Sequence, residues 1–227
     1  MRATYYLAEG FARVLLFLEA RGLPGFGNPR WIYGRLYLHS LAKHELPYAE
    51  TIADIVFRTF SPRSVLDLGC GAGLFLAALR QRGVDVLGVD GSSAAGAALP
   101  RSAFLLHDLR RPLDLHRRFD VVLCQEVAEH LPEKAAAVLV STLCAHSETI
   151  VFSAAGPGEA GVGHQHLVPA SWWCERFAAR GFCLDEDRTA RLRAGFHTCA
   201  PLPWLERNTM VFQATEPSTR KNPLKNT

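Results

Sequence analysis

The chain has 227 residues, of which 48% are hydrophobic, and a formal net charge of +3. This length and apolar content predict one globular domain with a continuous core. The charge is too small, and too evenly spread, to indicate a nucleic-acid partner. An apolar run from Val14 to Leu18 is too short to cross a bilayer and has no cleavage pattern after it. We therefore expect no membrane span and no signal peptide.

Six cysteines are scattered along the chain without a C-x-x-C pair. Four of them fall within apolar patterns and are predicted to be buried thiols: Cys70, Cys124, Cys144 and Cys183. Free thiols are typical of a reducing compartment. We therefore expect a cytoplasmic protein.

Residues 1–60 precede the first predicted strand and are interpreted as an N-terminal helical lid or cap segment. Apolar spacing predicts one helix over Tyr5 to Arg21 and a second over Tyr48 to Phe60, with a glycine- and proline-rich loop at residues 22–29. Aromatic rings and imidazoles are concentrated before the second helix: Trp31, Tyr33, Tyr37, His39 and His44. These side chains either pack the helices onto a sheet or form one wall of a substrate site.

The most informative stretch, Val65 to Gly73, reads Val-Leu-Asp-Leu-Gly-Cys-Gly-Ala-Gly. An apolar strand runs into three glycines separated by single residues, and an apolar helix follows. This is where an α/β sheet binds a nucleotide-like ligand. Glycines at 69, 71 and 73 allow positive φ and let the backbone approach the ligand with no Cβ between. Asp67 lies before the glycines, whereas in the dinucleotide fingerprint an apolar strand meets them directly.

Further predicted strands also end in polar side chains. The strand Val84 to Asp90 places Asp90 where a carboxylate could accept hydrogen bonds from both hydroxyls of a ribose. Asp108 ends the next short apolar run, where it could meet the amino group of an adenine. The strand Phe119 to Cys124 stops at Gln125. Because parallel strands bring their carboxyl ends to one edge of a sheet, we expect these side chains to line one ligand site.

The second half is predicted to contain, in chain order, a helix over Leu131 to Ala145, a strand over Thr149 to Ser153, a glycine-rich loop over Ala154 to Val168, a helix over Ser171 to Arg180 ended by Gly181, and strands over Phe182 to Leu184 and Asn208 to Ala214. The segment between the last two strands has no clear pattern. Residues 216–227 are polar and proline-containing, and are predicted to be a disordered tail.

Together these motifs resemble those of bacterial class I S-adenosylmethionine (SAM) methyltransferases of the type-11/type-23 group. The resemblance extends from about Pro47 to Phe212, and is carried by residues 61–71, 88–91, 119–124, 126–132 and 152–158. It implies a Rossmann-like α/β fold with a seven-stranded, mostly parallel sheet, the last strand antiparallel, and helices on both faces. It also implies that residues 61–215 form the SAM-binding domain.

The same resemblance assigns cofactor contacts to particular residues. It implies that Asp67, Gly69 and Gly71 hold the methionine part of SAM, Asp90 its ribose and Asp108 its adenine. The predicted cofactor site also includes their neighbours along the strand ends: Cys70, Gly73, Gly91, Leu109 and Gln125.

Transfer of a methyl group to a hydroxyl needs a base that removes the proton, and histidine is the usual one near neutral pH. The candidates are His130, His164 and His166. His164 and His166 alternate within the glycine-rich loop, so an extended backbone would point both the same way. We expect this loop to give them no core to pack in, and to close over the site when the acceptor binds.

Glu126, Glu129 and His130 form a second constellation, since a helical turn would bring all three to one face. When two carboxylates lie so near to each other, a cation or a proton is needed between them. A divalent metal would satisfy them, with His164 or His166 as a further ligand; the oxygens suit magnesium or manganese and the imidazole favours manganese or zinc. This arrangement resembles the metal-binding turn of small-RNA 2′-O-methyltransferases and ubiquinone-pathway O-methyltransferases, whereas in metal-free relatives the acids cap the next helix.

The sequence therefore predicts a biosynthetic, SAM-dependent O-methyltransferase that acts on a small-molecule hydroxyl, on a sugar or secondary metabolite, with a histidine base. Metal-assisted O-methylation at Glu126, Glu129 and His130 stays open as an alternative, as does a non-catalytic partner subunit with this fold. A nicotinamide-dependent oxidoreductase is disfavoured because Asp67 precedes the glycines and the second half has no Tyr-x-x-x-Lys pair. A homodimer is left open.

Overall fold

Seven strands form one sheet in the computed structural model, which describes residues 14, 35–159, 161–198 and 202–215. In chain order they are β1 (Ser64–Leu68), β2 (Asp85–Asp90), β3 (Phe104–Leu106), β4 (Val121–Gln125), β5 (Thr149–Ser153), β6 (Phe182–Leu184) and β7 (Met210–Ala214). Their order across the sheet is β3-β2-β1-β4-β5-β7-β6. β7 runs antiparallel to β5 and β6, while the pairs among β1 to β5 are parallel. The predicted Rossmann-like sheet with an antiparallel last strand is confirmed.

Helices cover both faces of this sheet, as expected. They are α1 (Arg35–Phe60), α2 (Leu74–Gln81), α3 (Glu133–His146), α4 (Ala170–Ala178), α5 (Glu186–Phe196) and α6 (Pro203–Asn208), with short 3₁₀ turns at Arg101–Ala103 and Ala128–His130. Alternate side chains of β1 enter different cores. Val65 packs with α1, α2, α5 and α6, whereas Leu66 and Leu68 pack with α3 and α4. We call these two layers the α1 face and the α3 face.

The helix before the first strand is longer than predicted. Pro47 was expected to precede the helix, but α1 begins at Arg35 and continues through it. Proline has no N–H, so one backbone carbonyl in the preceding turn of the helix loses its usual donor. Because Pro47 is exposed, water can donate a hydrogen bond to that carbonyl instead. The buried face continues on both sides of this proline, with Leu38 before it and Ala49 and Ile52 after it.

The segment between β6 and β7, which showed no clear pattern, is helical. Asp185 caps α5 by accepting a hydrogen bond from the Arg188 amide at 2.9 Å, and Thr189, Leu192 and Phe196 form its buried face. The helix predicted over Leu131 to Ala145 begins later than expected, at Glu133. Pro132, which precedes it, has an extended backbone.

Three further expectations concern the burial of Cys183, the presence of a membrane span, and segments near the two ends of the chain. Cys183 is exposed rather than buried, because β6 is an edge strand. Among the described residues, no helix has the length and apolar character that a bilayer crossing requires. Apart from Val14, the predicted helix over residues 5–21 lies outside the described residues. So do the loop at 22–29, Trp31, Tyr33, the tail at 216–227 and the side chains of Tyr37 and His44.

Candidate active site

The three glycines after β1 all have positive φ, but for different reasons. A Cβ on Gly69 would collide with the side chain of Val127, and one on Gly73 would lie 2.7 Å from Leu99. These two glycines therefore permit close packing against neighbouring side chains of the protein. Only Gly71, with a φ of +52°, has no atom within 4 Å of the position that a Cβ would take. Gly71 is the glycine that faces open space.

Asp90, at the end of β2, holds this turn in place. Its carboxylate accepts hydrogen bonds from the amide of Gly71 at 3.0 Å and from the amide of Ser92 at 2.8 Å. Burial raises the pKa of Asp90, and the surrounding backbone amides partly oppose that shift. A carboxylate can accept more than two hydrogen bonds, so the predicted ribose contact remains compatible with this geometry.

Asp67 is the most unusual side chain at this edge. It is only 6% exposed, and no hydrogen bond or ion pair to its carboxylate is found in the described part of the chain. Burial raises its pKa to about 8, and the negative charges of Asp90 and Glu45 add to that shift. A buried carboxylate without a partner is costly, so this position fits a group that brings a positive charge.

The remaining predicted cofactor residues occupy different environments. Gln125, at the end of β4, has a buried side-chain Nε2 with no hydrogen-bond partner among the described residues. Asp108 lies beyond the end of β3, and both its oxygens are already paired with the Arg110 guanidinium, at 2.8 and 2.9 Å, which lowers its pKa. The others are Cys70 within the glycine turn, which is half-buried, Gly91 after β2, which is exposed, and Leu109, which is buried on the α3 face.

Glu126 and Glu129 follow β4, but not on a helix as expected. Glu126 has a φ of +54°, and only Ala128–His130 form a 3₁₀ turn. The two carboxyls nevertheless approach each other. Burial raises both pKa values; the charge of Glu126 adds to the shift of Glu129, and the charge of Glu159 adds to that of Glu126. Both Glu129 oxygens are buried and find no donor with hydrogen-bond geometry in the described chain; the nearby amides of Ala155 and of Glu129 itself lower its pKa only in part.

His130 and His164 stack edge to face beside Glu129, with ring centroids 4.8 Å apart. One ligand atom from each of Glu129, His130 and His164 lies within 4.8 Å of the others. Burial is the main cause that lowers the pKa of His130 to about 3, and it also lowers that of His164. Both imidazoles are therefore neutral at physiological pH.

The tautomer of His164 follows from its partner. Its Nδ1 lies 2.9 Å from the carbonyl oxygen of Glu159, which can only accept, so Nδ1 carries the proton and Nε2 carries a lone pair. Gly161 leaves the room for this ring, because a Cβ there would collide with it. His164 thus has a lone pair at Nε2, and one of its two ring nitrogens lies within 4.8 Å of a carboxylate oxygen of Glu129.

His166 does not join this group, although the alternation predicted that it would point the same way. Its ring is only 6% exposed and packs against Trp172 and Trp173, with centroids 4.7 and 5.6 Å away. The expectation that the loop gives it no core is wrong for His166. The backbone explains why, because the amides of Gln165 and His166 both donate to the carbonyl of Glu129, which docks the loop on the 3₁₀ turn.

Sequence reasoning missed three polar residues at this edge. Glu45 of α1 acts electrostatically on Asp67. Asn208, at the end of α6, donates to Glu159 at 2.9 Å and to Glu126 at 3.4 Å. Asn208 lies far from the motifs along the chain, so no local spacing marks it, whereas Glu159 lies in the glycine-rich loop, directly after Gly158. Glu45 precedes the helix predicted over Tyr48 to Phe60, so its place on a helical stripe became apparent only when α1 was found to begin at Arg35.

A family model described as a methyltransferase domain matches residues 40–189. Because the match covers more than half of the chain, and the sheet order and glycine turn agree with it, the chain belongs to the class I SAM-dependent methyltransferase family. SAM is the methyl donor of this class. Asp67, Gly71 and Gln125 fit such a ligand, since at one edge they present an open backbone together with a carboxylate and an amide that have no partner in the described chain.

Partial matches to curated relatives are also found. The chain is 33% identical over 106 residues to the ubiquinone biosynthesis O-methyltransferase of Stutzerimonas stutzeri (strain A1501), a match that covers 40% of this chain and 44% of that protein. It is 43% identical over 74 residues to the protein of the same name from Bradyrhizobium diazoefficiens, covering 30% and 29%. The chain thus matches less than half the length of these relatives.

Solved structures share the fold at low identity. An O-methyltransferase family protein from Burkholderia thailandensis has a TM-score of 0.61 and 13% identity, and the match covers 95% of this chain and 72% of that one. A sugar N-methyltransferase from Streptoalloteichus sp. ATCC 53650 has a TM-score of 0.55 and 20% identity, covering 74% and 87%. These likenesses show the fold and leave the acceptor open.

Proposed function

We propose that this protein transfers the methyl group of SAM to a hydroxyl oxygen of a small molecule, with His164 taking the proton of that hydroxyl. The observation that carries the proposal is the lone pair of His164 Nε2, fixed by the bond from Nδ1 to Glu159. The curated relatives that match part of the chain are named O-methyltransferases, which supports oxygen as the acceptor atom.

SAM supplies a methyl group on a sulfonium, which loses its positive charge on transfer. The residues of the chain have two remaining tasks, to hold donor and acceptor in line and to remove a proton. Asp67, Asp90 and the backbone at Gly71 hold the donor. His164, neutral because burial lowers its pKa, accepts the hydroxyl proton at Nε2.

A second candidate is metal-assisted O-methylation, and one observation favours it. Glu129 has two buried oxygens without partners beside two neutral imidazoles. Glu129, His130 and His164 would hold a divalent ion, with Glu126 close to Glu129, and two imidazoles with carboxylate oxygen suit zinc or manganese better than magnesium. The ion would act as a Lewis acid on the acceptor oxygen.

Metal binding and turnover measured on the same variants separate the two candidates. The purified chain is titrated calorimetrically with Zn²⁺ and with Mn²⁺, and SAH (S-adenosylhomocysteine) release from SAM is measured with a catechol, a neutral sugar and an amino sugar. The variants are Glu129→Gln and His164→Ala. His197→Ala is the control, because His197 is exposed and, among the described residues, its side chain pairs only with Glu206.

If His164 is the base, His164→Ala lowers kcat about 100-fold or more, the metals do not bind, and EDTA leaves wild-type turnover unchanged. If a metal assists, one ion binds per chain, Glu129→Gln and His164→Ala both abolish that binding, and EDTA stops turnover. Methylation of the amino sugar alone, with the methyl group found on its nitrogen, would overturn O-methylation. Release of SAH with none of the three acceptors, or full activity of His164→Ala, would overturn the proposed function of this site.

A further inference from the structure

Helix α1 carries an acid on its buried face. Glu45 lies seven residues after Leu38 and four before Ala49, both of which are buried, so it follows the same helical stripe. The half-buried Glu45 has no hydrogen bond or ion pair within the described residues, and burial raises its pKa to about 7. An acid on an apolar stripe, without a cation beside it, has no evident role in packing α1.

A neighbouring contact between α1 and α2 shows how far along α1 Glu45 lies relative to the carboxyl edge of the sheet. Arg82 donates from Nη1 to the Glu50 carboxylate and to the carbonyl of Ala78, both at 2.8 Å, so residue 50 of α1 is level with residue 78 of α2. α1 and α2 both run back from the carboxyl edge of the sheet. Glu45 lies five residues closer to the N-terminus of α1 than Glu50, a distance of about 7.5 Å along the helix. This brings Glu45 level with Gly73 and the glycine turn.

Asp67 lies on the same side of the sheet as α1. It is two residues after Val65 in β1, and Val65 packs with Ile52 and Val56 of α1, so Asp67 also belongs to the α1 face. The electrostatic effect of Glu45 on Asp67 agrees with this placement. Two carboxyls, one from the helix and one from the strand, therefore converge above the α1 face.

Independent features at the same place indicate a missing ligand. Within the described residues the buried Asp67 carboxylate has no partner. The same is true of the buried Nε2 of Gln125, which lies two residues after Leu123, a residue that also packs on the α1 face. Beside them Gly71 presents an open backbone. An unpaired pair of acids next to an unpaired amide donor matches a zwitterion, with an ammonium for the acids and a carboxylate for the amide.

We propose that Glu45 binds the cofactor: its carboxylate holds the ammonium of the methionine part of SAM from α1, opposite Asp67. An ammonium has three donors, which is more than one carboxylate of fixed orientation satisfies. α1 thereby closes one side of the cofactor site. The inference rests on the SAM-binding half of the proposed function and is independent of the acceptor and of His164.

Two adenosine ligands isolate the ammonium contact. SAH contains the amino acid, whereas 5′-methylthioadenosine keeps the adenosine and the thioether but has neither ammonium nor carboxylate. Their dissociation constants are measured calorimetrically at pH 8 for wild type, Glu45→Gln, Glu45→Asp and Glu50→Gln. Glu50→Gln removes an acid from the same helix at a surface ion pair with Arg82, so it controls for the loss of one charge.

We expect Glu45→Gln to raise the Kd of SAH at least tenfold and to leave that of methylthioadenosine within twofold of wild type. Glu45→Asp should recover part of the SAH affinity, and Glu50→Gln should change neither ligand. An SAH affinity of Glu45→Gln within twofold of wild type would overturn the inference. So would an equal loss for both ligands, since that pattern indicates a structural role for α1. Failure of wild type to bind SAH would instead contradict the cofactor assignment itself.

Discussion

At the scale of single residues, the cofactor edge is defined by polar groups that the protein leaves unsatisfied. Asp67, Glu45 and the Gln125 amide each lack a partner in the described chain, although most buried polar groups in proteins are paired. The thiol of Cys70 adds no charge, because burial and the nearby acids raise its pKa. The free protein is therefore destabilised at this edge, and a ligand with a positive charge offsets that cost.

The raised pKa of Asp67 makes the stability of the free protein depend on pH. A carboxyl with a pKa of about 8 in the folded state and about 3.8 when unfolded contributes stability below pH 4, and that contribution is lost as pH rises towards 8. Glu45 acts in the same direction up to about pH 7. We expect the Tm of the ligand-free protein to fall from pH 5 to pH 8, and the fall to be smaller in Asp67→Asn.

Binding of SAH should show the opposite dependence, because the ammonium pairs with the ionised form of Asp67. Its affinity should rise between pH 6 and pH 8 and level off above it, with protons released on binding near pH 7. Calorimetry in two buffers with different ionisation enthalpies measures that release. An affinity independent of pH in wild type would show that Asp67 is already ionised in the free protein.

At the scale of elements, the turn from β1 to α2 combines two kinds of glycine. Gly69 and Gly73 let Val127 and Leu99 pack close to the backbone, so a side chain at either position disturbs the fold. Gly71 has positive φ beside open space, and its amide is fixed by Asp90. The two outer glycines thus let the turn pack closely against the protein, and the central glycine leaves the backbone accessible.

Gly83 provides a matched control for this interpretation. Like Gly71, it has positive φ and no atom near the position of a Cβ, but it follows α2 at the opposite edge of the sheet. We expect Gly71→Ala and Gly83→Ala to lose similar stability, about 1 to 2 kcal/mol, because alanine is strained in the left-handed region. Thermal and calorimetric measurements should show a loss of SAH affinity of tenfold or more in Gly71→Ala alone. Equal SAH affinities for both variants would mean that the turn at Gly71 does not contact the cofactor.

At the scale of the whole molecule, the α1 face and the α3 face divide the site between them. Asp67 and Gln125, which find no partner in the described chain and suit the cofactor, lie on the α1 face at the ends of β1 and β4, and Glu45 lies on α1 itself. The 3₁₀ turn and the docked histidine loop follow β4 and β5, beside the aromatic contacts of α4. The donor and the acceptor would then meet at the carboxyl edge, where β1 and β4 adjoin.

This division predicts where the cofactor stabilises the protein. SAH at 100 times its Kd should stabilise the fold by about 2.7 kcal/mol. Hydrogen exchange should slow in the first half of α1 and in the glycine turn, and stay unchanged in β6 and β7. In Glu45→Gln the protection of α1 should be lost while that of the glycine turn remains. Uniform protection of every element would show only global stabilisation and contradict a direct contact with α1.

The sequence alone predicts the sheet, because its evidence is local. Alternating apolar residues, a glycine turn and strands that end in acids are read within a few positions, and they predicted the order of elements through β5 and the family. Local patterns also predicted Asp67, Asp90 and Gln125 as one group, since parallel strands place their ends at one edge. The cap at Asp185 and the buried stripe of α5 were present in the sequence too, but a highly charged helix weakens the apolar pattern.

Only the tertiary structure decided which of these residues meet. Glu45 lies more than twenty positions from Asp67, and Asn208 far from Glu159, so neither pair has a spacing that sequence could read. The same loop sends His164 to His130 and His166 into the tryptophans, because backbone hydrogen bonds to Glu129 fix its path against two different surfaces. Strand ends and turn types follow from local chemistry, whereas pairing and burial of side chains follow from packing between distant segments.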